Sequence, residues 1–500
     1  MSFPKLPNTA NVIRFDNSYA RLPEAFYTRT PPTPVSQPVL HRLNRGLCEE
    51  LGIDAEALTT EQWAQVLGGN VLLPGSEPLA MAYAGHQFGH FVPRLGDGRA
   101  VLLGETMDAE GQRYDIHLKG SGPTPFSRAG DGRAALGPVL REYLVSEAMH
   151  ALGVPTSRAL AAVGTGEVVY REERLPGAVL TRVAHSHIRV GTFQYFAMGG
   201  DQDSLKLLAD HVIARHAPDL AEAPEPYWAL LSWAIERQAR LVAHWMSLGF
   251  IHGVMNTDNM AISGQTIDYG PCAFMDHYHP NTVFSAIDQR GRYAFANQPE
   301  MAQWNLARFA ECVLPLGGME SDEAVERAVA LLQAFSQQIE QLWLERMIAK
   351  LGMRTEEAND LTLLRELLEI MARESVDYTL FFRLLSHLPV SPDKRPELRA
   401  LCEHPAAIDN WLSLWETRLS RETQDPDELS RRLCAINPAV IPRNHQVEKA
   451  LNAAIYEADF AVFEQLLAVI TQPFTETAEH ASYMQPPKPE ERVLNTFCGT

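Results

Sequence analysis

The chain has 500 residues, of which 46% are hydrophobic and 21% are charged, and its formal net charge is −19. This acidity argues against a nucleic-acid-binding protein, which needs a basic face, although it leaves room for one local basic pocket. No apolar run approaches the ~18 residues of a membrane span, the N-terminus resembles neither a signal nor a transit peptide, and the six cysteines form no C-x-x-C pair, so the reducing cytoplasm is the expected location.

The first part of the chain predicts an irregular extension and then a strand-rich segment. Residues 1–85 are expected to wrap on the core, because prolines interrupt them, with one short helix over roughly 39–51. Residues 86–320 are expected to form the nucleotide-binding and catalytic core. Within it, residue patterns predict a helix over 138–152 and four strands: residues 100–105, 114–119, 166–170 and 177–183.

The second part of the chain is predicted to be mainly helical. Apolar residues at three- and four-residue steps predict a helix over 226–248 that leads directly into a loop at His252. A hairpin is predicted over 260–268. Residues 321–475 are expected to form a C-terminal helical region, and residues 476–500 a flexible tail, with little structure before Cys498. The helices predicted in this region cover 323–351, 362–388 and 447–470.

The loop at His252 resembles the catalytic loop of a protein kinase with its acid displaced. The kinase pattern is H-R-D-x-x-x-x-N followed by D-F-G. Counting from His252, the asparagine falls at Asn259, but the aspartate position holds Val254, and the only acid in the loop is Asp258. The stretch Asp268-Tyr269-Gly270 follows nine residues after Asn259. This pattern indicates an ATP-using enzyme whose transfer chemistry need not be phosphorylation.

Two oxygen-bearing side chains of this region are candidate metal ligands. Asn259 and Asp268 are hard ligands of the kind that Mg²⁺ takes, with phosphate oxygens completing its coordination. Each motif alone also fits an ordinary loop cap or turn. Their joint occurrence after a long apolar helix favours the active-site interpretation.

A strand lysine upstream is a candidate phosphate ligand. Lys119 ends the strand predicted over 114–119, and kinases pair such a lysine with a glutamate of the next helix. Glu142 is the best partner and Glu147 is the alternative. A solvent-facing lysine is the other interpretation of Lys119.

Glycine-rich and arginine-bearing segments complete the candidate site. Segment 95–99 could approach phosphate through backbone N–H groups or be a simple hairpin turn. Segment 127–133 falls between Lys119 and the helix of Glu142, where an insertion that covers the nucleotide could lie. Neither matches a Walker loop. Arg182 and Arg189 could clamp a polyphosphate with their planar forks, and surface ion pairs are the alternative.

At these positions the chain resembles the selenoprotein O (SelO/YdiU) family over nearly its whole length. The resemblance rests on seven stretches: His86-Gln87-Phe88-Gly89, Leu95-Gly96-Asp97-Gly98-Arg99, Lys119-Gly120-Ser121-Gly122, Ala129-Gly130-Asp131-Gly132-Arg133, the segment 252–260, Asp268-Tyr269-Gly270-Pro271, and Asn437-Pro438 with Ile441-Pro442-Arg443-Asn444.

The resemblance implies an α+β, protein-kinase-like, two-lobed fold with an N-terminal wrap and a C-terminal helical extension. It implies a protein adenylyltransferase that binds ATP inverted relative to kinases. AMP passes to Ser, Thr or Tyr hydroxyls of protein substrates, with Mg²⁺ or Mn²⁺ as cofactor and pyrophosphate as the leaving group. Nucleic acid and membranes are not expected as partners.

The resemblance also assigns roles to individual residues. Asp258 is the proton acceptor, and Asn259 and Asp268 hold the metal. The phosphates are held by Lys119, which Glu142 positions, and by Arg182 and Arg189. The residues that line the nucleotide are Gly96, Gly98, Arg99, Asp131 and Gly132.

Two alternatives to adenylyl transfer remain at this point. A protein kinase would require Asp258 to replace a base four residues away. A catalytically inactive pseudokinase scaffold would explain Val254, but it would not need Lys119, Asn259 and Asp268 together.

The last expectation concerns redox control. Many family members carry selenocysteine near the end, where this chain has Cys498. Cys272 lies four residues after Asp268, so a disulfide between Cys272 and Cys498 could tie the tail across the cleft and respond to thioredoxin-type reductants. The alternative is that Cys272 is a small buried hydrophobic residue and Cys498 a free tail thiol.

Overall fold

The computed structural model describes residues 12–497, which form a mixed α/β structure with one main sheet and many helices. The strands are Tyr27–Arg29 (β1), Val39–Leu43 (β2), Leu79–Met81 (β3), Gly85–Gln87 (β4), His90–Val92 (β5), Ala100–Met107 (β6), Arg113–Lys119 (β7), Ala134–Ala135 (β8), Arg158–Tyr170 (β9), Arg174–Ala184 (β10), Phe250–Ile251 (β11) and Ala273–Phe274 (β12).

The α-helices carry most of the second half of the chain. They are Arg45–Glu50 (α1), Thr60–Leu67 (α2), Leu136–Ala151 (α3), Val190–Met198 (α4), Gln202–His216 (α5), Pro226–Leu248 (α6), Gln298–Val313 (α7), Ser321–Lys350 (α8), Asp360–Glu374 (α9), Tyr378–His387 (α10), Arg395–Arg399 (α11), Ala406–Leu419 (α12), Pro426–Ile436 (α13), Asn444–Tyr456 (α14), Ala461–Ile470 (α15) and Ala481–Met484 (α16). None of the helices in the part of the chain that the structure describes is long and apolar enough to cross a membrane.

The main sheet has the strand order β1-β3-β6-β7-β10-β9-β2, and β8 also pairs with β10. Its neighbouring strands are antiparallel, and Lys119 at the end of β7 lies opposite Ala100 of β6 and Leu180 of β10. The four strands predicted from the sequence are confirmed, although β9 and β10 are longer than predicted. This register places Lys119 in the middle of the sheet.

The N-terminal segment contributes both edges of this sheet. Strands β1 and β3 form one edge, and β2 forms the other by pairing with β9. The helix predicted over 39–51 is therefore wrong in its first half, where Val39 pairs with Gly164. A helix begins only at Arg45, where the Asn44 side chain accepts a hydrogen bond from the Leu47 N–H and caps it.

Helix α6 leads the chain into the loop at His252. It spans the predicted residues, buries one apolar face in the core, and packs against α7 and α8. It ends at Leu248 and is capped by Gly249, whose φ of +73° is the left-handed conformation that glycine adopts most readily. The chain then enters β11.

Three other predictions of regular structure are wrong. Residues 260–268 do not form a hairpin, because Ala261 pairs with Arg189 and Thr266 pairs with Thr156. The helix predicted over 362–388 is two helices, since Ser375 has a φ of +53° between them. The helix predicted over 447–470 is also two, and Ala458 has a φ of +54° at the break.

The segment after α15 packs on the body of the protein. Little structure was expected between 476 and 497, yet this segment contains α16, and Thr496 pairs with Ser285. The Thr496 hydroxyl also donates to the Pro271 carbonyl over 2.6 Å. Proline and charge in the segment gave no indication of this long-range pairing. Cys498 lies outside the described residues.

Candidate active site

A cavity of about 960 Å³ is lined by the sheet, the glycine-rich segments and the loop after α6. All the predicted nucleotide, metal and catalytic residues except Glu142 line it. They are Gly96, Gly98, Arg99, Lys119, Asp131, Gly132, Arg182, Arg189, Asp258, Asn259 and Asp268. Residues distant in sequence therefore meet at one site.

Glu142 reaches the site through Lys119. The Lys119 ammonium lies 2.6 Å from Oε2 of Glu142, which is buried on α3. The alternative partner, Glu147, is instead 2.9 Å from Arg158 and accepts a hydrogen bond from Asn44. The structure thus selects Glu142 over Glu147 and shows that Lys119 is not a solvent-facing lysine.

Asp268 lies at the centre of a cation cluster. Its Oδ1 is 2.6 Å from Arg182 and 3.3 Å from Lys119, and its Oδ2 contacts Arg189. Burial raises the pKa of Asp268, but Arg182, Arg189 and Lys119 outweigh it and hold that pKa well below its ordinary value. Lys119, Arg182 and Arg189 therefore converge around Asp268 at the cavity wall, and cations grouped in this way suit a polyphosphate.

Asp258 lies in a short 3-10 turn, Thr257–Asn259, next to this cluster. Its side chain is buried, and burial raises its pKa to about 6. Oδ2 accepts a hydrogen bond from Gln87 over 3.2 Å, whereas Oδ1 is buried with no hydrogen-bond partner in the described protein. A buried carboxylate with one free oxygen and a raised pKa can serve as a proton acceptor.

Arg189 contacts both Asp268 and Asp258. Its guanidinium contacts the side chain of Asp268 and also donates to the main-chain oxygen of Asp258 over 2.5 Å. The same guanidinium lies 4.7 Å from the ring centre of Tyr83. Arg189 is fully buried, so its position is fixed by these contacts.

Strand β4 holds the turn that carries Asp258. The N–H of His86 donates to the Thr257 hydroxyl over 2.7 Å, and Gln87 contacts Asp258 itself. A Cβ at Gly85 would lie 2.5 Å from Oδ1 of Asp258, so only glycine permits this approach. Residues 86–89 belong to a family motif that had no predicted role, and Gly85 precedes them.

The two glycine-rich segments contact each other at the cavity wall. The Ser127 hydroxyl donates to the main-chain oxygen of Gly98, and Thr124, just before segment 127–133, donates to the main-chain oxygen of Asp97 over 2.6 Å. Asp131 forms an ion pair with Arg171 over 2.9 Å. The contacts with segment 127–133 show that segment 95–99 is not an isolated hairpin turn.

A buried relay behind Arg182 was also missed by the sequence analysis. Nη2 of Arg182 lies 3.2 Å from Nδ1 of His117, and Nε2 of His117 lies 3.2 Å from Oδ2 of Asp97. Burial lowers the pKa of His117. The relay fixes the plane of the Arg182 fork, and no sequence spacing connects its members.

The residues present fit a hard divalent cation that shares its coordination with a nucleotide. Asn259 uses its amide N–H in a 3.0 Å hydrogen bond to the Val254 carbonyl, which leaves Oδ1 as an acceptor. The Asp268 carboxylate, which also lines the cavity, would be the second ligand from this chain. Within residues 12–497, no cluster of three or more His, Cys, Asp and Glu side chains could hold a metal alone, so phosphate oxygens would complete the coordination.

The raised pKa of Asp258 predicts a pH-dependent rate. Because only the ionised carboxylate accepts a proton, the rate of transfer should rise about tenfold per pH unit below 6 and level off above it. Single-turnover rates between pH 5 and 8 would measure this. A profile without an inflection in that range would exclude Asp258 as the titrating base.

The cation cluster, the oxygen ligands and the buried carboxylate in one cavity are the features of a nucleotide-dependent transferase. A family model described as "Protein adenylyltransferase SelO" matches residues 10–471, so the chain belongs to this family.

Curated relatives agree in length and name. A "Protein nucleotidyltransferase YdiU" of Rhizobium rhizogenes is 58% identical over 488 residues, covering 98% of this chain and 97% of the relative. The proteins of the same name from Rhizobium meliloti and Bradyrhizobium sp. are 58% and 57% identical, covering 97% of this chain and 99% of each relative. These matches support a nucleotidyltransferase and favour neither the kinase nor the inactive scaffold.

Proposed function

We propose that the protein transfers AMP from ATP to Ser, Thr or Tyr hydroxyls of protein substrates, with ATP inverted relative to kinases. The position of Arg189, in contact with both Asp268 and Asp258, carries this proposal. If the cluster of Lys119, Arg182 and Arg189 holds the β- and γ-phosphates, the α-phosphate is the one nearest Asp258. The transferred group is then AMP.

The residues divide the reaction into two tasks. Asp258 accepts the proton of the incoming hydroxyl, whose oxygen forms a bond to the α-phosphorus. The bond from the α-phosphorus to the bridging oxygen breaks, and the cations stabilise the charge that develops on pyrophosphate. With a pKa of about 6, Asp258 is mostly ionised at neutral pH and ready to act as the base.

Asn259 and Asp268 would hold Mg²⁺ or Mn²⁺. When bound, such a cation neutralises phosphate charge and aids the departure of pyrophosphate. Among this chain's own residues, Lys119 and the two arginines supply the remaining positive charge, and Glu142 keeps Lys119 in place.

We further propose that the core, residues 86–320, adopts a two-lobed kinase-like arrangement. The strand-rich part with α3 on one side and the helices from α4 onward on the other support it. Residues 1–85 are then the N-terminal extension, residues 321–475 the helical extension, and residues 476–500 the tail.

Labelled ATP tests the proposed reaction. Incubation of the protein with a protein substrate and ATP labelled at the α-phosphorus should label the substrate, whereas ATP labelled at the γ-phosphorus should not. Labelling from the γ position would instead establish a kinase, and intact nucleotide binding without any labelling would indicate a scaffold.

Arg182 provides a test of the phosphate clamp. Arg182→Ala should lower turnover more than it lowers affinity for the protein substrate, because the clamp acts on the leaving pyrophosphate. Arg182→Lys should restore only part of the rate, since a point charge cannot replace a two-pronged contact that already joins Asp268, Glu142 and His117. A normal kcat for Arg182→Ala would place this side chain outside the reaction.

We also propose redox control through Cys272 and Cys498. Thr496 contacts Pro271, which brings the tail next to the residue preceding Cys272. Cys272 is fully buried, as the alternative interpretation also expected. Reduced thioredoxin should change the transfer rate of oxidised protein, and Cys498→Ser should remove that change. Peptide mapping without reductant that found both thiols unlinked would contradict the proposal.

A further inference from the structure

A cysteine and a histidine of the C-terminal helical region lie close to a glutamate at the start of the tail, and none of the three lines the cavity described above. The Cys434 sulfur on α13 is 3.9 Å from Nδ1 of His387, the last residue of α10. Nε2 of the same ring is 2.9 Å from Oε2 of Glu476, a distance typical of an ion pair although the two are not aligned as a hydrogen bond. Thus each nitrogen of one imidazole faces a different acidic group.

Arg383 completes the cluster. It is buried, lies 3.0 Å from Glu476, and donates to the main-chain oxygen of Cys434 over 2.8 Å. His387, Arg383 and Glu476 are the charged groups that act on Cys434. Two cations and one carboxylate therefore surround the thiol, which favours its ionised form.

The charge on His387 has two local supports. The residue occupies the last turn of α10, where the helix dipole favours a cation. The contacts with Cys434 and Glu476 raise the pKa of His387 to about 9. Burial raises the pKa of Cys434, but His387 and Arg383 lower it below its ordinary value.

Cys434 differs from the other described cysteines in exposure. It is partly exposed on the surface of α13, whereas Cys48, Cys312 and Cys402 are buried, and burial raises the pKa of each of those three thiols to between about 11 and about 12. Cys434 combines solvent access with cationic neighbours, the two conditions for a reactive thiolate.

We propose that Cys434, with His387 and Glu476 as positioning residues, is a thiolate site that hydrogen peroxide oxidises to a sulfenic acid. The thiolate sulfur bonds to one peroxide oxygen, and the O–O bond breaks. The other oxygen leaves as hydroxide and takes the proton from Nδ1 of His387, so that water is the product. The thiol is oxidised by two electrons, and peroxide is reduced.

The test is site-resolved trapping of sulfenic acid on the full-length protein. With dilute hydrogen peroxide at pH 7 and a dimedone probe, the Cys434 peptide should be labelled at least about tenfold faster than the Cys402 peptide, because one pKa unit changes the thiolate fraction about tenfold. Cys434→Ser should abolish this label, and Cys402→Ser, the matched control, should leave it unchanged.

His387→Ala separates a reactive pair from a merely accessible thiol. This variant should slow labelling of Cys434 about tenfold and move the midpoint of its pH-dependent reaction with iodoacetamide upward. Glu476→Gln should give a smaller change in the same direction, and it provides the test if His387→Ala does not fold. Equal labelling of Cys434 and Cys402 in the wild type would overturn the proposal. Unchanged rates in the variants would do the same.

Discussion

Asp258→Asn should lower the rate of nucleotidyl transfer by about 10²- to 10⁴-fold while ATP still binds, because an amide cannot accept the proton of the attacking hydroxyl. The carboxamide keeps the shape of the side chain, so the contacts with Gln87 and β4 have a similar fit. Rates with α-labelled ATP and calorimetric titration with the nucleotide would measure the two effects separately. Asp409→Asn, on the distant helix α12, should change neither.

The same variant should be more stable than the wild type above pH 6. A carboxyl whose pKa is raised in the folded protein binds more protons there than in the unfolded chain, so its ionisation destabilises the fold as pH rises through the window from 3.8 to about 6. Removing this group should therefore stabilise the protein at pH 7.5 by about 1–3 kcal/mol. Urea unfolding at pH 5 and 7.5 would test it. A variant that lost both stability and activity would indicate a structural role.

Asp268→Ala should abolish nucleotide binding as well as transfer. The substitution removes the proposed metal ligand and the carboxylate that Lys119, Arg182 and Arg189 share, which should destabilise the protein by about 3–5 kcal/mol. It also places alanine at a φ of +61°, which asparagine and aspartate tolerate better.

Asp268→Asn is the matched control for this prediction. It retains a side chain suited to the backbone at this position, so the loss of binding should persist while part of the stability returns. Calorimetric titration with Mg-ATP and urea unfolding would measure both quantities. Wild-type affinity for Mg-ATP in Asp268→Ala would remove this residue from the binding site.

The parts of the site that could be predicted from the sequence are those with short, spaced motifs. Lys119 ends an apolar strand, Glu142 follows on the next helix, and Asn259 and Asp268 stand in a kinase-like spacing. Lys119 and Glu142 lie on a strand and a helix with strong patterns, whereas Asn259 and Asp268 were predicted from their spacing alone. Lys119, Asn259 and Asp268 line one cavity, and Glu142 contacts Lys119.

Other parts depend on contacts that no local pattern encodes. Gln87 and Gly85 touch Asp258 only because β4 packs on the turn at Thr257. His117 supports Arg182 across neighbouring strands, although its place in β7 resembles any buried strand position. These residues became visible only once the chain was folded.

Errors in regular structure have a similar cause. Residues 39–43 have enough apolar character for a helix, but they form a strand because they pair with the edge of β9. Alanine has no turn preference and one serine is a weak turn signal, so the apolar period predicted a continuous helix across Ala458 and Ser375. At residues 39–43 and at both helix breaks, tertiary contacts outweighed the local sequence pattern.

The pairing of Thr496 with Ser285 has a consequence for biosynthesis. The ribosome makes the residues that line the nucleotide cavity long before it makes Thr496, which then binds the Pro271 carbonyl and the Ala286 N–H. The segment following Asp268 therefore gains its hydrogen bonds to Thr496 only after the rest of the site has been made. A nascent chain can bring Lys119, Arg182 and Arg189 together early, yet it lacks these two hydrogen bonds until translation has passed residue 496.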